Sequence, residues 1–159
     1  MTDPGARAAE ILARLGARSQ TLAVAESLTG GLLAATLVGV PGASAVFRGG
    51  LVVYATDLKA TLAGVPADLL AARGPVDGDV ATALAAGARD RCGADWGLAT
   101  TGVAGPDAVD GHPVGEVWIG LAGPGRATAV RHRFAGGRAA VRDASVAAAL
   151  DLLAAAVTP

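Results

Sequence analysis

The chain has 159 residues, 52% of them hydrophobic, with 13 lysines and arginines against 14 acidic residues and a formal net charge of −1. That length and apolar content suit one compact domain spanning 1–159. The balanced charge offers no basic surplus for gripping a phosphate backbone, which excludes nucleic acid as the expected partner.

Thr2 or Asp3 ahead of Pro4 reads as a helix cap and first turn, and Ile11, Leu12 and Leu15 mark one face of a helix running to about Gly16. The same opening, MTDPGARAAE, lacks the basic, apolar and small-residue order of a secretion signal. TLAVA is too short for a helix and apolar on both faces, as a buried parallel strand requires. Gly30 and Gly31 open a second helix that ends near GVPG at 39–42. LVVYAT at 51–56 reads as another buried strand, and DLKATLAGV as a helix beginning at Thr56 or Asp57.

Pro66 starts a further short helix, and Asp77 or Asp79 caps the alanine-rich DVATALAAGARDRCGA. The single cysteine in that segment, Cys92, has no partner for an internal disulfide, which fits a reducing cytoplasm. WGLATTG at 96–102 is a third strand, and EVWIGLAG, PGR and ATAVRHRF read as strand, turn and strand, with Val130, His132 and Phe134 alternating against Arg131 and Arg133. GGR at 136–138 leads into a last helix with Val146, Leu150 and Leu153 on one face. Asp151 breaks the apolar tail SVAAALDLLAAAV well short of the roughly 18 residues of a membrane span, so no membrane partner is expected. Much of the hydrophobic fraction is alanine, which limits the large apolar surface available for packing, and a homodimer joined through one of the helices is expected. Helices alternating with buried strands, plus a hairpin, predict an α/β fold: a three-layer α/β/α sandwich with a mixed, mostly parallel sheet that includes one antiparallel hairpin.

Three predicted strand ends are followed by small or polar residues: AESLTGG, YATDLK and TTGVAGP. Ligands of open α/β sheets sit at the carboxyl ends of the strands, so these loops are candidates for one shared site. Ser27 in this stretch fits first a helix cap, and a nucleophile would use the same geometry, because amides at a helix start stabilise an oxyanion and Gly30 and Gly31 let a ligand approach the backbone. A nucleophile needs a base. His132 lies between arginines on a strand and His112 in a loop, and neither is placed to serve.

Lys59 is the only lysine in the chain. A protein that otherwise uses arginine for positive charge has chosen here the one cation that can release its proton, given a lowered pKa. The first turn of a helix and burial against a sheet would both lower it. Tyr54, the sole tyrosine, falls five residues earlier; its hydroxyl either reaches the same cleft or tips an ordinary core ring. Thr101 and Gly102 begin a glycine-rich turn with exposed amides. Arg138 and Arg142, four apart at the start of the last helix, are either a surface pair or a phosphate site. No His, Cys, Asp and Glu cluster has metal-ligand spacing, and Asp107 with Asp110 reads as turn chemistry, so no metal is expected.

Four blocks, AESLTGG, GGLVVYATDLKATLAGVP, TTGVAGPDAVDGHPVGEVWIGL and FAGGRAAVRDASV, resemble in order and spacing the C-terminal domain of the competence/damage-inducible CinA proteins and their stand-alone nicotinamide-nucleotide amidohydrolase (PncC-type) relatives, from about residue 6 to 155. The resemblance implies hydrolysis of the carboxamide of nicotinamide mononucleotide to nicotinate mononucleotide and ammonia, by a serine/lysine amidase without metal or cofactor. By motif, Ser27 would be the nucleophile, Lys59 the base with Tyr54 beside it, Thr101 the oxyanion-side hydroxyl and Arg142 the basic residue toward the phosphate, with Arg138 as its neighbour. Gly30, Gly31 and Gly102 would line the substrate. Two positions depart from the pattern: Leu28 stands where cysteine is common, and DAVDGH replaces a loop that commonly carries a double glycine and a lysine. The rival readings are a nucleotide-binding or partner-binding module without turnover, tied to competence or the DNA-damage response, and an amidase for a different small amide.

Overall fold

A computed structural model describes residues 2–159. The elements are α1 (Pro4–Ala17), β1 (Leu22–Glu26), α2 (Leu32–Val38), β2 (Phe47–Val52), α3 (Thr56–Thr61), α4 (Ala67–Arg73), α5 (Gly78–Cys92), β3 (Trp96–Gly102), β4 (Glu116–Gly123), β5 (Arg126–Arg133) and α6 (Arg138–Ala156), with a single 3-10 turn at Ala43–Ala45. The strands form one sheet in the order β2-β1-β3-β4-β5. β1 pairs in parallel with both β2 and β3, while β3–β4 and β4–β5 are antiparallel.

Two apolar layers cover this sheet. Ile11 and Leu15 of α1, Leu33 and Leu37 of α2, and Leu150 and Leu153 of α6 pack with Val24, Leu98 and Ile119 on one face. Val80 and Leu84 of α5, with Ala63, Val65 and Leu70 from the α3–α4 region, cover Ala23, Ala25 and Ala99 on the other. The three-layer α/β/α sandwich with a mixed sheet is therefore the observed fold, and the hairpin is β4–β5.

Several ends follow their local chemistry. The Asp3 carboxylate accepts the Ala6 N–H at 3.0 Å with Pro4 opening α1. Asp77, rather than Asp79, caps α5, accepting from the amides of Asp79 and Val80 at 2.8 and 3.2 Å.

The second strand departs from expectation. It runs over Phe47–Val52 instead of 51–56, and it is half-exposed in alternation because it forms an edge paired only with β1. Its glycines belong to the strand and make no turn: a Cβ on Gly50 would lie 2.7 Å from Val24 Cγ2, so close packing against β1 requires glycine there. With the strand ending at Val52, residues 53–55 cross the top of the sheet and bring α3 back over it, where Val53 N–H donates to Glu26 C=O at 2.9 Å.

Gly87 on α5 admits the segment that follows α3. A Cβ there would sit 1.8 Å from the Ala63 carbonyl oxygen. An open groove of about 770 Å³ lies between β5 and α6, lined by Val130, Phe134, Ala144 and Leu152 among others, and it contains none of the residues singled out for chemistry. No helix among the described residues is long and apolar enough to cross a membrane.

Candidate active site

The site begins where β1 ends. All five β1 residues are buried, including its last, Glu26, which is 1% exposed. Gly31 at the N-cap of α2 has φ 105° and no side chain with which to cap the helix. Glu26 does so from the strand, its carboxylate accepting the amides of Gly31, Leu33 and Ala34 at 3.2, 2.9 and 3.0 Å. A carboxylate at a helix start is doubly favoured, by hydrogen bonds and by the helix dipole. The chain between strand and helix is thereby pinned at both ends, and Gly30 with φ 55° and Gly31 complete the tight reversal.

Ser27 heads that reversal. Its N–H donates to Thr100 C=O at 3.0 Å, and its C=O accepts the Gly30 N–H at 3.2 Å, closing a turn over Ser27–Gly30. Beneath the turn the Thr29 and Thr100 hydroxyls lie 2.8 Å apart, both residues fully buried. From the far side, Arg142 of α6 donates through Nε to the Leu28 carbonyl at 2.9 Å and through Nη2 to the Thr29 carbonyl at 3.3 Å. Three elements thus fix the loop that carries the serine.

Lys59 meets it from α3. Its Nζ lies 3.0 Å from Ser27 Oγ, 2.7 Å from the Val53 carbonyl oxygen and 3.2 Å from that of Tyr54. The side chain is 1% exposed. Burial lowers its pKa from 10.5 to about 8, and no acidic neighbour opposes the change. A neutral amine has two N–H groups and one lone pair, which match two carbonyl acceptors and one hydroxyl donor. An ammonium fills the same three positions as donor. The cage therefore accommodates either protonation state without rearrangement.

The remaining predicted residues divide. Tyr54 is 61% exposed, neither a core ring nor in contact with Ser27 through its hydroxyl, which instead accepts from Arg138 Nη2 at 3.3 Å. Arg138, exposed at the first residue of α6, also donates through Nη1 to the Gly105 carbonyl at 2.7 Å. It bridges the segment after β2 and the loop after β3. Thr101 is buried with its hydroxyl donating to Pro75 C=O at 2.6 Å, away from Ser27. Gly102 lets β3 approach β4, since a Cβ would stand 2.5 Å from the Glu116 carbonyl oxygen. His112 bonds through Nδ1 to Glu116 Oε2, and His132 stacks on Phe134 with ring centroids 5.1 Å apart. Among the described residues no group of three or more His, Cys, Asp or Glu side chains is arranged to hold a metal.

Sequence reasoning assigned nothing to Glu26, Thr29 or Thr100. An acidic residue ending a buried strand immediately before a glycine-rich helix start was the available signal for Glu26. For Thr100 the signal was strand parity, since neighbours on β3 face opposite layers.

Comparison with known proteins identifies the family of this chain. Residues 5–157 match the CinA C-terminal domain. A CinA-like protein of Frankia casuarinae is 55% identical over 143 residues, covering 90% of this chain and 33% of that protein, and one of Anaeromyxobacter is 51% identical over 144 residues, covering 90% and 35%. The chain thus spans about a third of the length of these curated relatives. Among solved structures, the competence/damage-inducible protein CihA from Agrobacterium tumefaciens superposes with a TM-score of 0.93 at 34% identity, covering 98% of this chain and 96% of that one. The CinA superfamily protein from Enterobacter cloacae gives 0.96 at 28% identity, covering 99% and 94%. The chain belongs to the CinA C-terminal domain family.

Proposed function

We propose that this protein is an amidohydrolase that converts the carboxamide of nicotinamide mononucleotide to the carboxylate with release of ammonia, using Ser27 as nucleophile and Lys59 as base. The observation that carries the reading is the 3.0 Å contact between Ser27 Oγ and a buried lysine Nζ whose pKa is lowered to about 8. A serine hydroxyl is a weak nucleophile until a neighbour takes its proton, and a buried amine near neutrality is one of the few groups able to do so.

In this mechanism neutral Lys59 takes the Ser27 proton as Oγ adds to the amide carbon. The resulting ammonium gives a proton to the amide nitrogen, and the C–N bond breaks to release ammonia and leave an ester on Ser27. Water then enters, loses a proton to Lys59 and adds to the ester carbon; collapse returns the proton to Ser27 Oγ and frees the acid. The two carbonyls of Val53 and Tyr54 hold Nζ at its post through each transfer.

Arg138 and the amides opening α6 are the groups we assign to the substrate phosphate. Arg138 is exposed, belongs to a helix with no side-chain cap and stands beside the Tyr54 hydroxyl. An anion at such a helix start is favoured by free amides and dipole alike.

The test is to incubate the purified protein and Ser27→Ala with nicotinamide mononucleotide, following ammonia and nicotinate mononucleotide together. The reading predicts stoichiometric release of both by the native protein and neither by the variant. Binding without product would favour a nucleotide-binding module, and turnover confined to other amides would favour a different substrate.

A further inference from the structure

Addition of Ser27 to a carbonyl creates an oxyanion that needs N–H donors not already engaged. Hydrogen bonding around the turn leaves little choice. At the start of α2 the amides of Gly31, Leu33 and Ala34 go to Glu26, and those of Gly30 and Leu32 to the carbonyls of Ser27 and Thr29. Ser27 N–H and the Thr101 hydroxyl donate to Thr100 and Pro75. What remains are the two central amides of the turn, Leu28 N–H and Thr29 N–H, neither of which has an acceptor among the described residues. Leu28 is 3% exposed and Thr29 fully buried. Folded proteins pair nearly all buried backbone donors, so two adjacent unpaired ones beside a nucleophile call for an acceptor that arrives with the reaction.

Arg142 holds the other side of the peptide that carries the Thr29 N–H, and of the peptide after it. Its Nε lies on the Leu28 carbonyl, which shares a peptide plane with the Thr29 N–H, and its Nη2 lies on the Thr29 carbonyl. A cation bound to a peptide oxygen fixes that plane and polarises it, strengthening the N–H at its opposite edge as a donor. The expectation that Arg142 meets the phosphate thus encounters a guanidinium already committed to the nucleophile's turn, whereas Arg138 is the exposed member of the pair.

We infer that the Leu28 and Thr29 N–H groups form the oxyanion site for Ser27, and that Arg142 is the positioning residue that holds the turn and polarises the Thr29 N–H. The inference rests on the amidase reading of Ser27 and Lys59.

Steady-state kinetics of Arg142→Gln with nicotinamide mononucleotide and with nicotinamide riboside, which carries the same amide and no phosphate, tests it. Misplacing the donors lowers kcat by about 100-fold with either substrate. KM stays within about threefold, and the preference for the phosphorylated substrate is unchanged. A raised KM for the mononucleotide alone, with loss of that preference, would make Arg142 a phosphate ligand and overturn the inference. Arg142→Lys, which keeps a cation able to reach one carbonyl, should recover part of kcat at unchanged KM and covers the case in which the glutamine variant does not fold. If the native protein hydrolyses neither amide, the functional reading fails separately, and the inference is read from Ser27 itself. Labelling of Ser27 by an uncharged fluorophosphonate, followed by intact mass, also places negative charge on oxygen and should slow about tenfold in Arg142→Lys. An unchanged labelling rate refutes it.

Discussion

Replacing Lys59 with methionine converts the central electrostatic feature of the site into a stability measurement that needs no substrate. In the unfolded chain this lysine keeps its proton up to about pH 10.5; in the fold, burial lets it go at about 8. Below pH 8 the native state carries a poorly solvated ammonium, and that penalty is present in full. Between 8 and 10.5 the unfolded state binds more protons than the native state, so raising the pH stabilises the fold through this group. A displacement from 10.5 to about 8 corresponds to about 3 kcal/mol at pH 7. About 2 kcal/mol of that is recovered by pH 9.5. Other titrating groups act in both proteins and cancel in the difference. Urea unfolding of the native protein and Lys59→Met at pH 7 and 9.5 should therefore show the stability gap between them shifting by about 2 kcal/mol in favour of the native protein at the higher pH, or about 1 M in relative midpoint. A gap that stays constant would mean that Lys59 titrates in the fold as it does in water, and it would remove the physical basis for a lysine base.

The same displacement sets the activity profile: kcat/KM for nicotinamide mononucleotide should rise about tenfold per pH unit on the acid side and level off above an apparent pKa of about 8, as the neutral base fills. A flat profile from pH 6 to 9 would contradict it. Glu26→Ala removes the acceptor of three amides at the start of α2, and chemical denaturation should show a loss of about 3 kcal/mol. Stability within 0.5 kcal/mol of native, roughly the level of an ordinary surface substitution, would refute the capping assignment. Gly87→Ala forces a Cβ against the Ala63 carbonyl oxygen and should cost about 3 kcal/mol. Because Ala63 follows the helix carrying Lys59, that variant should also lose turnover at temperatures where it remains folded; full activity there would show that α3 does not depend on this contact.

Much of the architecture was readable because local chemistry and tertiary packing agree. Asp3 with Pro4, the doubly apolar TLAVA and Asp77 each stand where capping and burial rules place them. Lys59 stood out by composition alone, as the single lysine among 13 basic residues, and its Nζ lies 3.0 Å from Ser27 Oγ. The failures share a cause in long-range geometry. The second strand was expected at 51–56, yet Gly49 and Gly50 lie inside β2, and the reason for Gly50 is the side chain of Val24 on the neighbouring strand. Thr100 and Thr101 are adjacent and chemically identical, but one residue along a strand changes the face, so Thr100 supports the serine turn and Thr101 turns to Pro75. Arg138 and Arg142 looked equivalent at helical spacing. One turn of helix separates an exposed guanidinium from one that reaches the carbonyls of Leu28 and Thr29. Spacing alone carries no information about which side of α6 faces the loop after β1.

A lysine base is tested most directly by hydrolysis of nicotinamide mononucleotide by Lys59→Arg, with retention of the fold checked by circular dichroism and Lys59→Met run in parallel. Arginine preserves the positive charge and cannot act as a base near neutral pH. If Lys59 activates Ser27, both variants should lose turnover by about 100-fold or more. A folded Lys59→Arg protein that releases ammonia within a few-fold of the native rate would contradict the Ser27–Lys59 mechanism outright.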